Sequence, residues 1–82
     1  MQNEKKEMYK ELPELYRQLV DKWDKHFLMR SEVPEFTMGL LSSQRLADLH
    51  TLNQGPPHQK VSNKAVYNPV DFAYWMYQRD AG

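Results

Sequence analysis

The stretch Gly55-Pro56-Pro57-His58-Gln59-Lys60-Val61-Ser62-Asn63-Lys64-Ala65-Val66-Tyr67, followed at once by Asn68-Pro69-Val70-Asp71, leaves the backbone few choices. Gly55 can take the positive φ that ends a preceding helix, and the two prolines forbid that helix from resuming and hold the chain extended. Residues 59–61 and 65–67 have the length of strands in a small hairpin, with Ser62-Asn63-Lys64 as its polar tip. Asn68 can N-cap the next helix, Pro69 suits its first position, and Asp71 in the first turn complements the helix dipole. The predicted local order is helix, tight turn, hairpin, helix.

Upstream, residues 6–27 form the clearest periodic segment. Met8, Leu12, Leu15, Tyr16, Leu19, Val20, Trp23 and Phe27 recur at steps of three and four, which is one apolar face of a helix. The opposite face carries Glu14, Arg17, Asp21, Lys22, Asp24 and Lys25, with Asp21 and Lys25 ordered for an i,i+4 pair. Pro13 interrupts the pattern, so the helix starts near Leu12 behind a frayed or separately helical leader. This face either covers the domain that follows or forms a dimer seam.

Ser31 can cap a short helix with Glu32, Val33 and Pro34 in its first turn, Val33, Phe36 and Met38 on its apolar side, and Gly39 at its end. Ser42-Ser43 is a second N-cap signal. The helix over residues 44–52 has Leu46, Leu49 and Leu52 spaced for burial and Gln44, Arg45, Ala47, Asp48, His50 and Thr51 on its open side. Two short helices joined by a glycine-containing turn make a helix-turn-helix candidate. In the last helix, residues 69–79, Val70, Phe72, Ala73, Trp75 and Met76 form an apolar block bordered by Tyr74 and Tyr77, with residues 80–82 as a frayed end.

A chain of 82 residues with 40% hydrophobic and 12% aromatic residues is a single small folding unit without a disordered composition, and with no cysteine it depends on packing alone. No apolar run approaches the roughly 20 residues that span a bilayer, and residues 1–6 lack the apolar core of a signal peptide, so the expected partners include no membrane and the expected location is cytoplasmic. Net charge is zero, whereas proteins that bind nucleic acid non-specifically usually carry excess cations. The distribution is uneven: residues 49–70 contain no acid but hold His50, His58, Lys60 and Lys64. Two lysines beside a turn are also what an ordinary solvated loop carries.

Phe27-Leu28, Ser31-Glu32-Val33-Pro34-Glu35-Phe36, Met38-Gly39-Leu40, Ser42, Leu46, Leu49, Gly55-Pro56-Pro57, the hairpin ending in Tyr67, and Asp71-Phe72-Ala73-Tyr74-Trp75-Met76 together resemble the small winged helix-turn-helix family. That family includes phage excisionases, AlpA-type prophage regulators and the DNA-binding heads of MerR-type regulators. The resemblance covers residues 27–77 and implies a mainly α fold with a small β-hairpin, a winged helix-turn-helix over 27–82, preceded by an amphipathic helical extension over 1–26. The sequence departs from the family pattern at Leu49, where a Trp is usual, at Ala47 and Asp48, where basic or bulky polar residues are common, and at Leu40-Leu41, which adds a residue to the turn.

The function implied is that of a sequence-specific DNA-binding protein, an excisionase or transcriptional regulator of phage or mobile-element origin, with double-stranded DNA as partner. Ser43, Gln44, Arg45, Asp48 and His50 or Thr51 would face the major groove, Gln44 reading adenine and Arg45 guanine. Lys60, Ser62, Asn63 and Lys64 of the hairpin and Arg30 and Ser31 on the other flank would contact phosphate. So few cations imply weak binding by a monomer, so that affinity would need repeated sites, a homodimer or a protein partner through the N-terminal helix. The alternative is a protein-interaction module that keeps the scaffold without direct DNA binding, using an exposed remnant of the Tyr16, Trp23 and Tyr77 surface.

No enzyme, cofactor or metal is expected. There is no cysteine and no glycine-rich phosphate loop, and His26, His50 and His58 lack ligand spacing and read as surface or boundary residues.

Overall fold

A computed structural model describes the backbone of residues 2–81 and the side chains of residues 7–80; Gly82, at the end expected to fray, lies outside them. The chain is mostly helical with a small three-stranded antiparallel sheet. Its order is α1 (Gln2–Glu11), α2 (Glu14–Lys22), β1 (Leu28–Met29), a 3₁₀ turn (Arg30–Glu32), α3 (Val33–Phe36), α4 (Ser43–Thr51), β2 (Gln59–Val61), β3 (Lys64–Tyr67) and α5 (Pro69–Ala81). Among the described residues no helix is long and apolar enough to cross a membrane.

The N-terminal apolar stripe is two helices, because proline lacks the N–H and clashes with the carbonyl four residues back. Pro13 sits in extended backbone (φ −58°, ψ 159°) and its carbonyl accepts the first bond of α2, from Arg17 N at 3.1 Å. The leader is thus a helix of its own. α2 stops at Lys22, short of the expected residue 27, because Trp23 turns extended and its indole N–H donates to Phe27 O at 3.0 Å. The expected Asp21–Lys25 pairing is replaced: Asp21 accepts from the Tyr9 hydroxyl at 2.6 Å, and Lys25 pairs with Glu32. Leu15 and Phe27, expected on the buried face, are half exposed.

α1 and α2 lie against α5, and Leu12 and Leu19 share one core with Leu28, Val33, Phe36, Leu41, Leu46, Tyr67, Phe72, Ala73 and Met76. Phe72 is its hub. Its ring stands edge-on to Phe36 (5.8 Å between centroids), Tyr67 (5.3 Å) and Trp75 (5.5 Å), and Phe36 in turn meets Trp23 edge-on at 5.5 Å. Such pairs each add about 0.5–1.5 kcal/mol beyond the area they bury. Tyr16 joins the two sides: its hydroxyl donates to Asp80 at 2.6 Å, and burial with that bond pushes its pKa to about 12. α5 continues through Asp80, so that residue is helical rather than frayed.

The short helices are held by backbone signals partly different from those predicted. The first is entered at Met29, whose N–H donates to Glu32 Oε1 at 2.9 Å, rather than at Ser31. It is closed by Met38 at φ 55°, with Met38 N bonded to Glu35 O and Gly39 N to Pro34 O, the Schellman pair of bonds. Met38 therefore points outward rather than joining the apolar side, and Gly39 (φ 86°) takes the position after the left-handed residue.

Ser42 caps α4 as expected, accepting from Arg45 N at 3.0 Å, and Leu46 and Leu49 are buried, but Leu52 is exposed. The helix ends on Asn53 at φ 58°, with Gln54 N bonded to Leu49 O at 2.8 Å. Asn53 thus supplies the positive φ that was expected of Gly55. Gly55 is small for another reason: a Cβ there would lie 3.3 Å from the His50 ring.

The hairpin forms, with a tighter tip than Ser62-Asn63-Lys64. Ser62 (φ 52°) and Asn63 (φ 65°) make a two-residue turn of the left-handed kind that matches strand twist, and Lys64 pairs with Val61. β3 is the central strand: Tyr67 pairs with Leu28 and Met29 with Val66, so residues 28–29 add a strand that the sequence pattern did not announce. Asn68 caps α5 through Oδ1, accepting from Val70 N at 2.9 Å and Asp71 N at 3.2 Å.

Thr37 is the one buried polar residue among those described, and its hydroxyl spans the turn, bonding to Val33 O at 2.8 Å and accepting from Leu41 N at 3.2 Å. Thr37→Val keeps the shape and leaves Leu41 N–H without this acceptor, which is expected to lower stability by about 1–3 kcal/mol in urea unfolding.

Candidate functional site

Sheet pairing and the end of α4 bring distant polar residues to one place. β1 carries the chain into Arg30 and Ser31, pairing of β2 with β3 sets Lys60 opposite Ala65, and the last turn of α4 presents His50 and Thr51. These elements enclose an open cleft of about 750 Å³ whose wall includes Arg30, Ser31, His50, Thr51, Asn53, His58, Lys60, Asn63 and Lys64. No carboxylate is among the described residues lining it. Three cations surrounded by hydroxyl and amide groups form a surface suited to anionic oxygen.

Lys60, Asn63 and Lys64 of the hairpin meet His50 in this cleft, and Arg30 and Ser31, expected on the opposite flank, lie there with them because β1 pairs with β3. Gln44, Arg45 and Asp48 stand apart on the exposed side of α4, where Gln44 Nε2 donates to Asp48 Oδ1 at 3.1 Å. Ser43 is half-buried and its hydroxyl donates to Arg30 O at 2.9 Å, tying the start of α4 to the 3₁₀ turn. Ser62 is exposed at the hairpin tip.

His50 does not stand on the open side of α4. Its Nε2 lies 2.7 Å from the Tyr67 hydroxyl, and its ring rests against Gly55 and meets the His58 ring edge-on at 4.5 Å. His58 Nδ1 lies 3.3 Å from Pro56 O. Burial, then His58, then Arg30 hold the His50 pKa below its ordinary value, while burial pushes that of Tyr67 up against the opposing pull of Arg30. Sequence reasoning did not assign Asn53 and His58 to this site, and it placed Thr51 with His50 beside the bases. Asn53 carries a local signal, the asparagine preference for left-handed backbone at a helix end, whereas His58 reaches the site only through tertiary packing.

The Tyr16, Trp23 and Tyr77 surface is largely engaged in packing: Tyr16 and Tyr77 lie 5.7 Å apart, and Trp23 rests on Phe36. Among the described residues no group of three or more His, Cys, Asp or Glu is placed to hold a metal ion. Comparison of the chain with protein-family models, curated proteins and solved structures finds no match.

A neutral His50 in the fold sets a pH dependence. Its pKa is depressed on folding, so its contribution to stability is complete above the unfolded value of about 6.5 and is lost as pH falls from there through the folded value. Denaturation midpoints of the protein and of His50→Gln, compared from pH 8 to pH 5, should show the parent losing ground to the variant on the acid side.

Proposed function

We propose that the protein is a small, non-enzymatic DNA-binding regulator built as a winged helix-turn-helix, with α3 and α4 as the helix pair and β2–β3 as the wing. The observation that carries this reading is the cleft in which Arg30, Lys60 and Lys64 converge without a lining carboxylate at the junction of α4 and the hairpin. Phosphate recognition asks for that chemistry, and backbone contacts fix how such a domain lies on a duplex. In this reading the cleft follows one phosphate backbone while the exposed side of α4 faces the major groove.

Gln44 and Arg45 then read bases. The bond from Gln44 to Asp48 uses one amide hydrogen and leaves the other hydrogen and the carbonyl oxygen, the two groups needed for a bidentate pair with adenine. Asp48 acts by orienting Gln44, which accounts for an acid on a helix that approaches DNA. His50 braces the cleft from within.

A second reading, docking to another protein, is favoured by the side chains of Met38 and Leu40. They are 65% and 63% exposed in the turn before α4.

Fluorescence anisotropy against a pool of labelled duplexes across a salt series separates the two readings. Binding should weaken linearly in log salt, and Lys60→Glu/Lys64→Glu should reduce the slope by about 0.9 for each of two phosphates. A folded protein that binds no duplex even at low salt would remove DNA as the ligand. Sensitivity to Met38→Ser/Leu40→Ser in a partner-binding assay would then support the second reading.

A further inference from the structure

We propose that the cleft binds an anionic tetrahedral oxyanion and a proton together, with His50 as the group that takes up the proton. This rests on the reading of the cleft as a phosphate-binding surface and adds a regulation to it.

The donor inventory around Tyr67 fixes the empty state. A phenol has one proton to give, and Arg30 beside it has only donors, so the Tyr67 proton goes to His50 Nε2 across 2.7 Å and the imidazole accepts there. An imidazolium would turn that nitrogen into a donor facing another donor, and Tyr67 would have to swing its proton away. The groups that oppose the imidazolium are His58 ahead of β2 and Arg30 from the 3₁₀ turn, and the other charged groups of the cleft, Lys60 on β2 and Lys64 on β3, are cations too. On α4 itself Asp48 is bonded to Gln44 on the exposed side. No carboxylate of the described lining is available to balance a second positive charge.

A bound oxyanion supplies that balance. It draws Arg30 and the lysines toward itself, relieves the field at His50, and offers an acceptor so that the proton can be held. Linkage is reciprocal: an anion that favours the protonated ring is itself bound more tightly as pH falls. Each unit by which the anion raises the His50 pKa is worth about tenfold in affinity between the alkaline and acid limits.

The test uses two probes whose charge is constant between pH 5.5 and 8, a labelled duplex and sulfate. Duplex binding at fixed ionic strength should strengthen several-fold on acidification, and His50→Gln should flatten that slope. In parallel, the His50 Cε1 proton resonance of the unaltered protein should titrate at higher pH in the presence of duplex and of sulfate than alone. That titration decides the matter even if His50→Gln fails to fold.

Salt-dependent duplex binding with a His50 titration midpoint unmoved by either probe overturns the inference and leaves the DNA reading standing. An equal pH slope in a folded His50→Gln variant does the same. A midpoint moved by sulfate without duplex binding keeps the proton-coupled oxyanion site and removes DNA as its source. No response to either probe at any pH removes both.

Discussion

One tyrosine joins the core to the cleft. The Tyr67 ring is fully buried on the central strand and stands edge-on to Phe72, while its hydroxyl reaches His50 at 2.7 Å. A phenol suits this place because its ring can be packed like phenylalanine while its tip still meets a polar partner. The geometry is transmitted in both directions. Pairing of Tyr67 with Leu28 positions β1 and hence Arg30, and the bond to His50 anchors the last turn of α4 against the hairpin. The cleft is therefore an outgrowth of core packing, and its cations are placed by a sheet whose centre lies inside the molecule.

Zero net charge and a cationic cleft coexist because several carboxylates are engaged elsewhere. Asp21 accepts from Tyr9, Asp80 from Tyr16, and Glu32 from Lys25 and from Met29 N. None of these acids lines the cleft. The two N-terminal helices thus help to segregate charge as well as to cover apolar surface: Tyr9 on α1 and Tyr16 on α2 each hold an acid, and Leu12 and Leu19 belong to the shared core. For long-range attraction of an anionic partner the local arrangement counts, because screening confines each charge to roughly 8–10 Å at physiological salt.

The parts of the fold written in neighbouring residues were legible in the sequence. Asn68-Pro69 starts α5, Ser42 caps α4, Pro13 splits the first stripe, and the hairpin lies where Gly55-Pro56-Pro57 requires extended chain. What could not be read locally depends on partners far along the chain. Leu28-Met29 is a strand only because Tyr67 and Val66 lie beside it, and α2 ends early because Trp23 bonds to a loop. Spacing also misjudged sides: Leu15 and Leu52 fit apolar stripes, but those helices are too short to bury every such position. In the candidate site, the nearness of Lys60 to Lys64 followed from the hairpin expectation, whereas Arg30, expected on the opposite flank, joins them only because β1 pairs with β3. The turning of His50 inward did not follow either, since its partner is seventeen residues away and on another element.

The two tryptophans are placed differently from each other. Trp23 follows α2, resting on Phe36 with Lys25 above its ring, whereas Trp75 is in the middle of α5, donates to Gln54 O at 3.2 Å and lies under Arg79. One indole reports on the seat of the leader helices, and the other on the joint between the last helix and the loop after α4. The chain thus contains two native optical probes: in versions retaining a single indole, emission colour would distinguish lifting of the leader from loosening of the rest.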